Sequence, residues 1–240
     1  MKLFTWTNIR LVLMIMLVLF LFSFASMRNE NRKITKIDVK IIDEDTPFLL
    51  PTMVNKLLIE KNEHSKTITK EGLDLKRLEK SVNNHDLIQK SELFVSVDGV
   101  LKAVVKQKTP VGRVVQETGS FYIDYEGNRM SLSENYSARV PLVSGKIDAV
   151  ENEKLSEVLK MIYEDDFLKK NIIGVQVVSS GNLIMQNRNY DYTIDFGKII
   201  NIDRKFKNYK AFFQKAVLDS TLNNYKKINL KFTQQVVCIK

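Results

Sequence analysis

The sequence LVLMIMLVLFLFSFA, residues 11–25, holds fifteen residues without a charge, and no proline or glycine occurs before Pro47. Its reading decides what the rest of the chain is. Left in a bilayer, it makes the 215 residues after it a tethered extramembrane part; cut off, it leaves them a free secreted protein. Eleven of the fifteen are Leu, Ile, Val or Phe. At about −0.3 to −0.6 kcal/mol each, they favour insertion by roughly 3 to 7 kcal/mol. Arg10 lies at the edge, where its stem can reach the headgroups, and Trp6 suits the interface. Residues 9–27 give 19 positions, close to the ~20 that a helix needs to cross. Ser23-Phe24-Ala25 also has the small-x-small form of a signal-peptidase site, so the residues allow both an uncleaved anchor and cleavage after Ala25. The flanking charges (Lys2 and Arg10 against Arg28, Arg32 and Lys33) do not choose an orientation.

Beyond the apolar run the composition is that of a globular protein. The whole chain of 240 residues is 44% hydrophobic and 27% charged. Past residue 27 there are 35 basic and 28 acidic residues, a net +7 dispersed among acids (Lys76-Arg77-Leu78-Glu79), which is a solvated basic surface and not a nucleic-acid stripe. Cys238 is the single cysteine, so no internal disulfide can form and packed cores must hold the fold.

The pattern then divides the chain. Residues 28–33 form a polar linker after the span and the short tail 1–8. Ile37, Val39 and Ile41 alternate with Asp38 and Lys40, as in a half-buried strand, and an acidic turn at Asp43-Glu44-Asp45 follows. A helix is expected from Pro51 through Leu58, and a second, capped by Asp74, carries Leu75, Leu78 and Val82. Two extended runs, residues 88–97 and 100–107, meet at Asp98-Gly99, a hairpin signal. Strand, helix, helix, strand, strand predicts an α+β unit over residues 34–109, closed by Thr109-Pro110.

Residues 110–240 read as a second, mostly antiparallel β domain with two helices. All eight tyrosines lie here. Strands are expected at residues 111–117, 120–124, 172–179, 183–186, 190–196 and 228–239, with a short extended piece at 140–143. Asp148 and Glu151 have capping-box spacing before a helix bearing Leu155, Val158, Leu159 and Ile162. Asn201 or Asp203 is expected to cap another, with Phe206, Tyr209, Phe213 and Val217 on one face.

Candidate chemistry is sparse. His64 and His85 sit among Lys and Asn as solvated residues, and Asp165-Asp166 reads as a capping or solvated pair. No CxxC, HExxH, GxSxG or phosphate-binding loop occurs. The residues nominate no catalytic group, cofactor or metal. A strand at the C-terminal end is often an edge strand, able to template a partner.

The layout resembles the FtsQ/DivIB family of bacterial cell-division proteins along essentially the whole chain. Residues 104–110, VVKQKTP, are similar to the family's V-x-E-R-x-P junction, with Gln107 and Lys108 in place of the acid and Arg. Residues 122–127, YIDYEG, resemble its y-x-D-x-x-G hairpin; 140–145, VPLVSG, its l-P-x-l-x-G segment; and 229–232, NLKF, its D-L-R-Y. The resemblance implies a POTRA domain at 34–109 and a non-enzymatic scaffold in the cytoplasmic (inner) membrane at the division septum. Its N-terminus would be cytoplasmic and its C-terminal domain periplasmic or extracytoplasmic. It implies FtsB/FtsL-like partners that add a strand to the last strand of the β domain, at Leu230, Lys231 and Phe232, aided by Tyr209 and Phe213 on the preceding helix. It also implies recruitment of later divisome proteins. The alternatives are a POTRA-containing component of outer-membrane assembly or secretion, or a cleaved secreted binding protein.

Overall fold

The structure is a computed structural model that describes residues 6–30, 34, 36–42, 46–60 and 73–240. The acidic turn at 43–45 and His64 lie outside the described residues. The chain divides into two compact units, Met1–Gln107 and Lys108–Lys240, and its architecture is α+β.

The first unit opens with α1, Trp6–Glu30. Its stretch Asn8–Arg28 has a mean hydropathy of 2.5 and is long and apolar enough to cross a membrane. After it come β1 (Lys36–Ile42), α2 (Pro51–Glu60), α3 (Leu75–Asn83), β2 (Ile88–Val95) and β3 (Val100–Gln107). The sheet order is β1-β3-β2, with β3 antiparallel to β2 and parallel to β1. Asp74 caps α3 as its sequence position indicates, accepting a hydrogen bond from the Arg77 N–H at 3.0 Å. Leu58, Val82, Leu101 and Val105 are buried, so both helices face one side of the sheet.

Two polar devices finish this unit. The Gln107 carboxamide donates to the Thr46 carbonyl (2.7 Å) and accepts from the Leu49 N–H (3.3 Å), pinning the entry to α2 onto the end of β3. A carboxylate there could not make the donation, which gives this chain's glutamine its own structural use. Side chains of α3 also occupy amides of β2. Asn83 Oδ1 accepts from Ser91 N–H at 2.6 Å, and Glu79 Oε1 from Leu93 N–H at 3.2 Å. Those amides are thus taken by a helix instead of being offered to another strand.

The second unit holds β4 (Pro110–Gln116), β5 (Gly119–Asp124), β6 (Arg129–Met130), β7 (Leu142–Gly145), α4 (Asn152–Glu164) and α5 (Asp166–Asn171). It continues with β8 (Ile172–Val177), β9 (Leu183–Asn187), β10 (Thr193–Gly197), α6 (Ile202–Leu218), β11 (Lys227–Asn229) and β12 (Val237–Ile239). They form one nine-stranded sheet in the order β12-β11-β10-β9-β8-β7-β4-β5-β6. Most neighbours are antiparallel; β4–β7, β7–β8 and β10–β11 are parallel. The last two are joined by the helical crossovers that parallel pairing requires. Leu155, Val158, Leu159 and Ile162 of α4 pack with Phe206 and Tyr209 of α6 in one core.

The short motifs resolve into backbone requirements. Asp124 is buried, and its Oδ1 accepts from the N–H groups of Glu126 (3.0 Å) and Asn128 (2.7 Å), holding the β5–β6 turn. At Gly145, φ is +88° and an added Cβ would lie 2.2 Å from the Val177 carbonyl oxygen. Only glycine lets β7 run this close to β8.

Four expectations need correction. The single strand at 228–239 is a hairpin, β11 and β12, because Asn229 Oδ1 accepts from the Lys231 N–H at 2.9 Å and turns the chain. The helix after Asp148 begins at Asn152: Ile147–Ala149 is a 3-10 turn, Val150 is extended, and Glu151 caps by position without a side-chain bond. The β domain has a third helix, α5, whose start is held by Asp165 accepting from Phe167 and Leu168 N–H, both at 3.0 Å. On α6, Val217 is exposed while Ala216 is buried, and Asn201 stands at the cap in a left-handed conformation (φ 51°) without a side-chain cap bond.

Candidate partner-binding edge

The C-terminal end of the nine-stranded sheet is built by β10, α6 and the β11–β12 hairpin. β11 pairs in parallel with β10 through Thr193–Lys227, Ile194–Ile228 and Asp195–Asn229. β12 returns along it, pairing Val237 with Asn229, Cys238 with Ile228 and Ile239 with Lys227. β12 is therefore the outermost strand, and no strand lies beside its outer edge among the described residues. Cys238 is half-buried against the core, its thiol pushed up by burial, whereas Val237 and Ile239 on the other face are exposed.

Asp195 anchors this end. Its carboxylate is almost fully buried and receives Lys227 Nζ at 2.8 Å and Lys231 Nζ at 2.9 Å. Burial alone would raise its pKa; the hydrogen bonds and charges of the two lysines outweigh that and hold it below the ordinary carboxylate range. The Asp195 carbonyl also accepts from the Leu230 N–H at 2.9 Å. Because the folded pKa is depressed, the contribution to stability is full above the unfolded value near ~4 and fades as pH falls through the folded one. Asp195→Asn is expected to cost about 1–3 kcal/mol at neutral pH. It should also remove part of the acid-side loss of stability, as read by denaturant titrations of both proteins at pH 7 and pH 3.

The lysine of the N-L-K-F segment is placed by its neighbour's lack of a side chain. Gly197 has φ +71°, and a Cβ there would lie 2.6 Å from Lys231 Cγ, so the lysine stem crosses the glycine on its way to Asp195.

The five residues implied by resemblance fall into different environments. Leu230 is 1% exposed and Tyr209 fully buried; both are core residues. Tyr209 completes a buried chain in which its hydroxyl meets Tyr192 OH at 2.9 Å and accepts from Asn187 Nδ2 at 3.0 Å. Phe213 is partly buried in an aromatic cluster, with ring centroids 5.0 Å from Phe167 and 5.8 Å from Tyr190. Lys231 is half exposed, in its ion pair. Phe232 is 52% exposed in the β11–β12 connection, which Asn208 Nδ2 ties to α6 through the Thr233 carbonyl at 2.9 Å. The large apolar side chains offered to solvent at this end are thus Phe232, Val237 and Ile239, whereas Tyr209 and Leu230 lie in the core.

Lys205 is a further residue of this end that periodicity did not single out. It is buried on α6 and donates to the carbonyls of Phe196 (2.8 Å) and Lys198 (2.7 Å), clamping the first turns of the helix to the end of β10. Burial lowers its pKa, and the charge of Asp195 partly restores it. His85 is structural too: half-buried at the end of α3, its Nδ1 accepts from the Leu87 N–H at 3.3 Å. No group of three His, Cys, Asp or Glu able to hold a metal occurs among the described residues.

A family model described as FtsQ/DivIB, C-terminal related matches residues 109–239, all but the first and last residues of the second unit and more than half of the chain. The chain belongs to the FtsQ/DivIB, C-terminal related family. FtsQ/DivIB proteins are non-enzymatic scaffolds of cell division, so the chain is a cell-division protein whose expected company is other divisome proteins. The N-terminal helix fits a single-pass anchor for such a protein. No individual curated protein matches the chain. The FtsQ/DivIB match ends at Ile239, so it includes both strands of the C-terminal hairpin.

Proposed function

We propose that this chain is a membrane-anchored division scaffold that takes an FtsB/FtsL-like partner by strand addition to the outer edge of β12. In this reading α1 spans the cytoplasmic membrane with its N-terminus inside, and both units stand outside it. The first unit, read as a POTRA domain, meets other divisome components, and the whole recruits later ones to the septum. The observation that supports it is the open edge of β12, flanked by the exposed Val237 and Ile239 and by Phe232 in the adjoining connection. Strand addition draws affinity from main-chain hydrogen bonds and specificity from alternate side chains. It therefore tolerates Asn229, Lys231 and Phe232 where the family motif has Asp, Arg and Tyr. Lys231 serves the edge indirectly, by holding the turn through Asp195.

Affinity purification of the full chain from membranes tests this reading. Small single-span coiled-coil proteins should co-purify. Recovery of outer-membrane barrel components in their place would overturn it in favour of an assembly or secretion role.

A further inference from the structure

Among the described residues, the three-stranded sheet of the first unit has helices on one face only, and its other face carries an uneven charge. Register places Lys36, Asp38, Lys40 and Ile42 of β1 beside Val100, Lys102, Val104 and Lys106 of β3. On the far side, Phe94, Glu92 and Lys90 of β2 line up with Lys102, Val104 and Lys106. All five lysines are exposed, against two acids, so the face carries a net +3. Phe94 and Ile42 are exposed among them. Lys90 and Lys106 stand directly opposite each other. Lys90 is ion-paired with its neighbour Glu92 at 2.8 Å, which offsets its charge beside Lys106.

We propose that this sheet face lies on the anionic headgroups of the bilayer that α1 crosses. Two observations select the lipid surface. The face joins lysines to interspersed apolar side chains, which suits a boundary where phosphates and acyl chains meet. Only residues 31–35 separate the end of α1 at Glu30 from β1 at Lys36. Fully extended, that link spans about 20 Å, so the start of β1 is held within two or three Debye lengths of the end of α1. The inference rests on α1 being a membrane anchor, and its test separates the two.

The full chain carrying Phe94→Cys and Cys238→Ser, labelled with a fluorophore at residue 94, is reconstituted in phosphatidylcholine vesicles with and without phosphatidylglycerol. Resistance to alkaline extraction reports the anchor. Quenching by nitroxide-headgroup lipids, which act at contact range, reports the face. Quenching should appear with phosphatidylglycerol and fade at high salt. Each lysine near an anionic surface changes the balance by roughly fivefold. Lys40→Gln, Lys102→Gln and Lys106→Gln together should therefore cut the docked fraction by about tenfold or more. The same number of charges removed from α3 (Lys76→Gln, Arg77→Gln, Lys80→Gln) should leave it unchanged. An anchored protein with equal quenching on both lipids overturns the proposal and leaves the scaffold reading intact. Extraction by alkali overturns the anchor itself. A response to soluble dextran sulfate, without a response to phosphatidylglycerol, would make the occupant a free polyanion and also overturn it.

Discussion

Placing glutamate at both Val237 and Ile239 is expected to leave the β domain folded and to lower capture of its partner by about a hundredfold or more. Both side chains are exposed on one face of the outermost strand, and neither takes part in the core. Surface substitutions of this kind usually change stability by only about 0.5 kcal/mol. In a strand-addition complex the same positions flank the incoming backbone. Apolar anchors lost from an interface cost about 1–2 kcal/mol each, and burying a carboxylate beside an apolar partner adds more. Pull-down from detergent-solubilised membranes, with far-UV circular dichroism of the same samples, separates lost binding from lost folding. A folded double variant that captures its partner normally would remove β12 from the account.

Leu230→Asp is expected to unfold the β domain outright. Leu230 is buried in the core that includes Phe196, Phe206 and Ile228, and its N–H bonds the Asp195 carbonyl. Deleting a buried leucine costs about 2–5 kcal/mol, and an unpaired carboxyl in its place costs several more. Set against the roughly 5–15 kcal/mol of a typical domain, that is most or all of the stability. Phe232→Asp, two residues along, should shift the denaturation midpoint little, because Phe232 stands half in solvent. The pair is read by urea titration of both variants beside the parent. Equal destabilisation of the two would contradict the placement of Leu230 beneath the edge and Phe232 upon it.

That contrast shows where sequence reasoning carried and where it stopped. Period-two alternation located Ile37, Val39 and Ile41, and Asp98-Gly99 located the β2–β3 turn, because each signal lies within a few residues of what it specifies. The same logic applied to residues 228–239 gives one long strand. What breaks that strand is an Asn229 side chain accepting from its neighbour's backbone, reinforced from a distance by Asp195, Asn208 and Gly197. No proline or glycine marks the turn. The burial of Lys205 was equally illegible, since two carbonyls at the end of β10, seven and nine residues upstream, make it tolerable. The α5 helix went unseen because six residues are too few to show a period, although the Asp165 cap that starts it was visible. Motif resemblance points to the C-terminal end of the molecule. Geometry then divided its residues into a buried support and an exposed surface.

The most direct test of the β12 edge is photo-crosslinking in living cells, with a benzophenone amino acid in place of Ile239 and, as the control, Val115 on β4, an exposed residue remote from the edge in strand order. Irradiation should trap a small single-span division protein at position 239 and not at 115, and the adduct should vanish when Val237→Glu is added. Trapping that is absent at 239, or equal at both positions, would contradict docking at the edge of β12.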